Sequence, residues 1–205
     1  MRTAQVLKTA VSALRQKSGA VSASNVPQPT VRLFDDVLDR TTEADLMRAA
    51  DAFLKKNKVQ DGHFDGVISQ YREVQVPLER FEPNLASTLQ EIVHRTMPRG
   101  VKILPVHILD LLPEGSIASH IDHIEYSGEY IVGLSLNSHA VMTLQHKNLD
   151  AAFDLLLPRR SLYVLQGAAR FEWEHSIARH PTFDGEQLAP KGRRVSVIFR
   201  DLLVT

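Results

Sequence analysis

The chain has 205 residues, of which 43% are hydrophobic and 23% charged, a balance typical of a globular protein with one domain. It contains no cysteine, which excludes disulfides, thiolate zinc sites, iron–sulfur clusters and cysteine nucleophiles, so His, Asp or Glu must hold any metal. No apolar run approaches the ~20 residues that a membrane-spanning helix requires.

The N-terminal segment is basic and lacks acidic residues until Asp35. Several of its apolar residues have the spacing of one helical face: Val6, Leu7, Ala10, Val11 and Leu14. This composition is typical of a mitochondrial transit peptide, which we predict over residues 1–25, with a disordered cytosolic arm as the alternative. A single domain is predicted over residues 30–205. Without residues 1–25 the chain has 20 Lys and Arg against 24 Asp and Glu, a balance that opposes sequence-independent phosphate binding.

Two helices are predicted in the first half of the chain, after an extended linker at Pro27-Gln28-Pro29. The first covers about residues 43–56, with Thr41 or Thr42 as its N-cap. The second covers about residues 83–96 and has an apolar face at helical spacing. The segment Asp61-Gly62-His63-Phe64-Asp65-Gly66 between them is predicted to be a turn.

From residue 101 onward, short β-rich runs alternate with turn sequences such as Pro113-Glu114-Gly115. We predict eight strands, near residues 103–111, 117–122, 129–136, 140–146, 153–157, 160–166, 169–177 and 194–202. The predicted fold is therefore mainly β with flanking helices (α+β), a β-sandwich or rolled barrel with the two N-terminal helices on one face.

His120 and Asp122 end an alternating run, in which side chains two apart point to the same face of a strand and can bind one ion together. The same alternation places Ile117, Ser119 and Ile121 on the opposite face. A second His-x-Asp copy, His63 and Asp65, lies between two glycines and is predicted to be a solvated loop.

His175 is the candidate for a third ligand, because it shares strand parity with Phe171, Trp173 and Ile177 and should face inward. The alternative is a hydrogen-bonded core histidine. Two imidazoles and one carboxylate on one side of a metal suit Fe(II) that must also bind a co-substrate and O₂.

The last predicted strand is basic on one face. Arg194, Ser196, Ile198 and Arg200 alternate with Val195, Val197 and Phe199. Two inward arginines are costly unless they are paired with anions, and a guanidinium binds carboxylate through two hydrogen bonds. A dicarboxylate bound to iron at one end and to arginine at the other would explain them. The alternatives are an internal pair with Asp or Glu, or two surface arginines.

Together these motifs resemble the AlkB-like Fe(II)/2-oxoglutarate dioxygenases, most closely their mitochondrial branch, over about residues 30–202. The residues that carry the resemblance are Val106–Leu111, His120-Ile121-Asp122, Gly133–Leu136, Ser161–Leu165, Ala169–Phe171, His175 and Arg193–Ile198.

The resemblance implies a double-stranded β-helix (jelly-roll) core that uses Fe²⁺, 2-oxoglutarate and O₂. It implies metal ligands at His120, Asp122 and His175. The distal carboxylate of 2-oxoglutarate would meet Arg194, Tyr163 and Ser196, with Arg200 nearer the iron.

The sequence departs from the nucleic-acid demethylases of this family, which usually carry Asn-x-Tyr where this chain has His107-Ile108-Leu109. The segment after the second helix also leaves little room for a lid over a flipped base. The resemblance implies hydroxylation or oxidative demethylation of a macromolecule in the mitochondrial matrix, linked to lipid metabolism and regulated necrotic cell death. We predict a protein substrate. The alternatives are an RNA demethylase and an interaction protein that binds iron and 2-oxoglutarate with low turnover. A plain cupin-like binding protein would give no reason for the two arginines.

Overall fold

The structure is a computed structural model that describes residues 14–16, 28–62, 65–189 and 192–203. The helices in this part of the chain are α1 (Arg40–Leu54), α2 (Pro83–Thr96) and the one-turn α3 (Ala168–Phe171), with a short 3-10 helix at Leu78–Arg80. The strands are β1 (Leu14–Gln16), β2 (Val31–Phe34), β3 (Gln60–Gly62), β4 (Ile68–Val76), β5 (Val106–His120), β6 (Ile131–Leu136), β7 (Ala140–His146), β8 (Ala152–Leu157), β9 (Ser161–Leu165), β10 (Trp173–Ile177), β11 (Thr182–Phe183), β12 (Glu186–Gln187) and β13 (Arg194–Arg200).

Among the described residues, eleven strands form one curled antiparallel sheet. Its main path runs β1-β8-β7-β10-β5-β13-β6-β9-β2, and β4 pairs with β3 and β5. The long strand β5 connects the two halves of the roll. Its first part pairs with β13 and its end pairs with β10, where His175 lies opposite His120, while β4 pairs with it from Val106 to Ile117. The interior of the roll is therefore lined by β5, β10 and β13 together.

The outer face of the sheet packs against α1 and α2. Pro83 begins α2, where its missing N–H costs nothing, and Leu85, Leu89, Ile92 and Val93 form its buried face. These residues join Val197 and other outward strand residues in one apolar cluster. A second cluster fills the interior of the roll and includes Leu109, Ile117, Met142 and Tyr163. The predicted α+β fold, with two N-terminal helices on one face, is confirmed.

Several predicted boundaries were wrong. Helix α1 begins at Arg40 because Asp39, rather than Thr41 or Thr42, is the N-cap and accepts a hydrogen bond from the Thr42 N–H at 2.7 Å. Pro113-Glu114-Gly115 is not a turn but lies within β5. Gly115 fits there because a Cβ would lie 2.7 Å from the Gln70 carbonyl oxygen of β4.

Other differences concern elements that were missed or misassigned. The segment predicted as one strand over 169–177 begins with α3, so Phe171 lies on a helix. The strands β2 and β4 were not predicted, and Asp61 and Gly62 of the predicted turn belong to β3, which pairs with β4. Leu14, which was assigned to a helical face, lies in β1 beside β8. The other members of that face lie outside the described residues, as does His63. No helix in the described ranges is long and apolar enough to cross a membrane.

Candidate active site

His120, Asp122 and His175 converge inside the roll, with one ligand atom of each within 4.8 Å of the others. Asp122 Oδ1 lies 3.2 Å from His120 Nε2 and 3.6 Å from His175 Nε2. The two histidines are opposite each other on β5 and β10, and Asp122 follows the end of β5. Two imidazoles and one carboxylate on one side of a metal position form a ligand set suited to iron that keeps other coordination positions open.

A β-bulge sets which side chains of β5 face this point. His175 and Ile177 are two residues apart on β10, but they lie opposite His120 and Ile117, which are three apart on β5. The extra residue reverses the alternation, so both Ile117 and His120 line the inner cavity. The predicted placement of Ile117 on the opposite face from His120 was therefore wrong, although His120 and Asp122 do converge.

Hydrogen bonding and charge prepare the three groups for a cation. His120 Nδ1 donates to the Ala118 carbonyl at 2.9 Å, so Nε2 is the ring nitrogen directed at the cluster. Burial lowers the pKa of His175 to about 4, so this imidazole is neutral near neutral pH. The pKa of Asp122 lies well below its usual value. Burial opposes that shift, but the Arg200 charge and the His120 hydrogen bond outweigh it.

The pKa of His120 is raised for related reasons. Burial acts to lower it, but the hydrogen bonds with Asp122 and the Ala118 carbonyl and the Asp122 charge outweigh burial. A metal at this point must therefore displace any proton that His120 holds, and binding is expected to weaken in acid.

Arg194 lies in the same cavity and has an unsatisfied donor. Its side chain is buried, and its Nε donates to Ser135 Oγ at 2.9 Å. Its Nη2 is also buried and has no hydrogen-bond partner among the described residues. Burial lowers the pKa of Arg194, so the cation is held at a cost that a bound anion would offset. The donor is thus suited to a carboxylate.

Tyr163 is positioned by a glycine on the neighbouring strand. Gly133 of β6 lies directly opposite Tyr163 of β9, and a Cβ on Gly133 would lie 2.2 Å from Tyr163 Cζ. The ring therefore occupies the space that any other residue would fill. Burial raises the pKa of Tyr163, so its phenol stays protonated and can donate a hydrogen bond.

The seven residues predicted from the sequence all line one inner cavity. They are His120, Asp122, Tyr163, His175, Arg194, Ser196 and Arg200.

Arg194 and Arg200 have different hydrogen-bond partners. Arg200 Nε donates to Asp122 Oδ2 at 2.6 Å, whereas no carboxylate contacts Arg194 in the described part of the chain. The predicted alternative of an internal ion pair therefore applies to Arg200.

Arg170 was missed by the sequence analysis as a site residue. It is buried in α3 and donates to the Asp122 carbonyl at 2.8 Å and to Ser127 Oγ at 2.9 Å. These bonds fix the backbone that carries Asp122. The signal available in the sequence was a charged residue between apolar neighbours, Ala169-Arg170-Phe171, ahead of the His175 strand.

A wider outer cleft of about 360 Å³ continues from the inner cavity. His107, His120, Asp122 and Arg200 line both spaces, so the cleft leads directly to the metal-binding cluster. Its outer part contains Asp65, Glu73, His123 and Tyr126, among others. Asp65 of the second His-x-Asp copy thus contributes to the cleft wall and not to the cluster.

Comparisons with known proteins agree with this architecture. Residues 30–200 match the model of the 2OG-Fe(II) oxygenase superfamily. The chain is 35% identical over 188 residues to the bovine (Bos taurus) "Alpha-ketoglutarate-dependent dioxygenase alkB homolog 7, mitochondrial", a match that covers 90% of this chain and 84% of the bovine protein.

Two solved structures share the fold at low sequence identity. OsALKBH1 has a TM-score of 0.59 at 15% identity, covering 86% of this chain and 98% of its own. A Pseudomonas putida prolyl-4-hydroxylase has a TM-score of 0.60 at 11% identity, covering 87% and 95%. With the family match, the curled antiparallel sheet is a jelly-roll of the oxygenase type. The chain therefore belongs to the 2OG-Fe(II) oxygenase superfamily and is an AlkB-like dioxygenase, similar to alkB homolog 7, that uses Fe²⁺, 2-oxoglutarate and O₂.

Proposed function

We propose that His120, Asp122 and His175 bind Fe(II), and that Arg194, Tyr163 and Ser196 bind the distal carboxylate of 2-oxoglutarate. The observation that carries this proposal is the buried Nη2 of Arg194, which lacks a partner among the described residues and lies in the same cavity as the three metal-binding side chains. A co-substrate that spans the two groups would satisfy this donor and complete the ligand set.

When bound, iron and 2-oxoglutarate supply the oxidising chemistry, in which O₂-dependent conversion of 2-oxoglutarate to succinate and CO₂ is coupled to hydroxylation of a C–H bond. The protein orients and protects these partners. The Ala118 carbonyl holds the His120 tautomer, and Arg200 holds one oxygen of Asp122. Ile117 and Met142, with other apolar residues of the cavity, exclude water.

We further propose that the substrate is a protein, hydroxylated or oxidatively demethylated. The support is the charge of the outer cleft, whose walls carry the carboxylates Asp65 and Glu73. Arg200 is the one Arg or Lys among its described lining residues, and its guanidinium is already bonded to Asp122. Nucleic-acid binding relies on Lys and Arg that neutralise phosphates, which this wall does not offer. Ile124 and Tyr126, exposed on the loop after Asp122, suit an apolar peptide contact.

The cellular role is proposed from the family resemblance. We propose a mitochondrial matrix enzyme, imported by a transit peptide within residues 1–25 and linked to lipid metabolism and regulated necrotic cell death. The support is the basic N-terminus and the word "mitochondrial" in the names of similar proteins. In cells lacking the gene, the wild-type chain should restore fatty-acid oxidation, and a His120→Ala chain should not. Rescue by both would contradict an enzymatic role.

Anaerobic titration with Fe(II) and 2-oxoglutarate tests the assigned ligands. The wild-type chain should develop the weak visible charge-transfer band of a chelated co-substrate. We expect His120→Ala to lose this band, because one imidazole ligand is removed. His123→Ala, which changes an exposed histidine three residues further on, should keep it. A band that persists in His120→Ala would contradict the assignment.

A paired turnover assay tests the substrate. Succinate, formaldehyde and the mass gain of one oxygen atom are measured with mitochondrial protein fractions and with methylated RNA. Substrate-dependent succinate with a modified protein would support the proposal. Formaldehyde released from RNA at enzyme-like rates would replace it with RNA demethylation. Co-substrate binding without succinate formation in either arm would favour the low-turnover interaction protein.

A further inference from the structure

Four side chains form a continuous hydrogen-bond network from the outer cleft to Asp122. Glu73 Oε2 lies 2.7 Å from His107 Nε2, and His107 Nδ1 lies 3.0 Å from Arg200 Nη1. Arg200 Nε in turn lies 2.6 Å from Asp122 Oδ2. Glu73, His107 and Arg200 come from β4, β5 and β13, and β5 pairs with both of the other strands, so the sheet fixes where these three residues lie relative to one another. Asp122 follows the end of β5.

The direction of each hydrogen bond follows from the chemistry of the groups. A guanidinium can only donate, so Arg200 donates both to Asp122 Oδ2 and to His107 Nδ1. His107 Nδ1 must therefore be the acceptor nitrogen, and the ring proton lies on Nε2, where it is donated to Glu73. Both ring nitrogens of His107 are then occupied. His107 acts on the site through Arg200 and not by a hydrogen bond to the co-substrate.

This hydrogen-bond network determines which oxygen of Asp122 faces the imidazoles. Oδ2 is held by Arg200, and Oδ1 is the oxygen that lies near His120 and His175. A carboxylate held in this way offers one oxygen to a metal and leaves coordination positions for other ligands. Arg200 has a long side chain at the edge of the cavity, so without His107 it would have several rotamers available.

We propose that Glu73 and His107 are positioning residues that lock Arg200 onto Asp122 and so set the geometry of the metal site. This inference rests on the proposed function in one respect, because it takes Asp122 as a metal ligand. It also gives a physical role to His107, the first residue of the segment that departs from the Asn-x-Tyr of related demethylases. Glu73 belongs to no recognisable sequence motif, because its position beside His107 depends on β4 pairing with β5.

The tautomer of His107 can be measured in the metal-free, full-length chain. In the ¹⁵N-labelled protein, long-range proton–nitrogen correlations should show His107 as a neutral ring with its proton on Nε2. In Glu73→Ala the Nε2 proton loses its acceptor, and its resonance should shift or exchange faster with solvent. A ring protonated on Nδ1 in the wild-type chain would overturn the proposal, because Arg200 could not then donate to it.

Metal affinity tests the consequence for Asp122. Cobalt(II) titrations of Glu73→Ala and His107→Phe should show about tenfold or greater loss of affinity, in the range typical of groups that orient metal ligands. Glu73→Gln keeps a carbonyl acceptor and should recover most of the affinity. Gln75→Ala, on the same strand two residues from Glu73, is the matched control and should bind cobalt as the wild type does.

The outcomes separate this inference from the proposed function. Unchanged cobalt affinity in Glu73→Ala overturns the inference, and the comparison with Glu73→Gln remains decisive if His107→Phe does not fold. Equal losses in Glu73→Ala and Gln75→Ala would also overturn it, because they would indicate a general effect of changes on β4. Failure of the wild-type protein to bind cobalt would contradict the metal site itself. The tautomer measurement would still decide whether His107 accepts a hydrogen bond from Arg200.

Discussion

The two faces of the same sheet have different chemistry, and β13 shows the contrast within seven residues. Val195, Val197 and Phe199 point outward into the apolar cluster beneath the helices. Arg194, Ser196 and Arg200 point into the roll, where they line the inner cavity. The outer face resembles an ordinary protein core, whereas the inner face combines buried charge with apolar walls.

The difference shows how stability and function are divided in this molecule. Burial of the outward apolar residues supplies folding free energy in proportion to the area removed from water. Burial of Arg194 without an acidic partner in the described structure has the opposite effect, and ligand binding would offset it. Substitutions on the outer face should therefore change mainly the free energy of unfolding, and substitutions on the inner face mainly the affinity for co-substrate.

The largest expected effect comes from the outer face. Leu89 is fully buried in α2, and Leu89→Ala should lower the free energy of unfolding by about 4 kcal/mol because it leaves a cavity. The affinity of the folded protein for 2-oxoglutarate should stay unchanged. Denaturant unfolding and ligand titration measure the two quantities, with the exposed Ser87→Ala as control. A large loss of affinity in folded Leu89→Ala would break the proposed division.

Glu43 joins the helical layer to the sheet. This buried carboxylate of α1 accepts from Arg159 Nε at 2.7 and 2.8 Å and from the Asn137 N–H at 2.9 Å. Glu43→Gln should lower the unfolding free energy by about 2 to 3 kcal/mol, because a buried charge-assisted contact is lost. Chemical denaturation at neutral pH measures this loss. Asp45→Asn, two residues further along α1 at a partly exposed position, should change the unfolding free energy far less, because its ion pair with the exposed Arg48 lies in contact with solvent.

The pH dependence of that loss sharpens the test. The pKa of Glu43 is lowered from 4.5. Burial opposes the shift, but the hydrogen bonds from Arg159 and Asn137 and the charges of Arg159 and Arg160 outweigh it. A lowered folded-state pKa gives stability that is complete above the unfolded-state pKa and is lost as the pH falls through the folded-state pKa. The difference between wild type and Glu43→Gln should thus be constant near neutrality and shrink below about pH 4.5. A difference that grows in acid would show that the ionised form is not the stabilising one.

Arg194 tests the inner face. Arg194→Met should weaken 2-oxoglutarate binding about 10- to 100-fold, because a charge-assisted contact with the distal carboxylate is lost. The unfolding free energy of the ligand-free chain should rise by about 1 kcal/mol, since an uncompensated buried cation is replaced by an apolar side chain. Calorimetric titration and denaturant unfolding give both values. Arg193→Met is a matched control, because Arg193 bonds Asp110 and Asp51 instead and should affect stability more than binding.

The smallest effect on co-substrate binding is expected at Gly133. Gly133→Ala should displace the Tyr163 ring, lower the unfolding free energy by about 1 to 2 kcal/mol and weaken co-substrate binding severalfold. Gly62→Ala is the control, because the nearest atom to a Cβ there is 4.0 Å away. Denaturant unfolding and calorimetric titration measure these two effects. Wild-type affinity in Gly133→Ala would mean that Tyr163 does not help to bind 2-oxoglutarate.

The sequence by itself determined the elements whose signals are local. The apolar spacing over 83–96 predicted α2 to the residue, and the alternation of β13 correctly divided its residues between the two faces. His120-Ile121-Asp122 and His175 were found because their side-chain chemistry is rare in combination. The assigned roles of these residues remain predictions.

The tertiary structure decided what depends on pairing between distant segments. A bulge against β10 placed Ile117 and His120 on one side, and Pro113–Gly115 stayed in β5 because β4 pairs alongside. The strand β4 escaped prediction because it is half exposed and rich in polar residues, so its position depends on β5. Glu73, Arg170 and the different partners of Arg194 and Arg200 likewise follow from long-range contacts. A local pattern specifies which face of an element is apolar, whereas the partner across the sheet decides where each side chain lies.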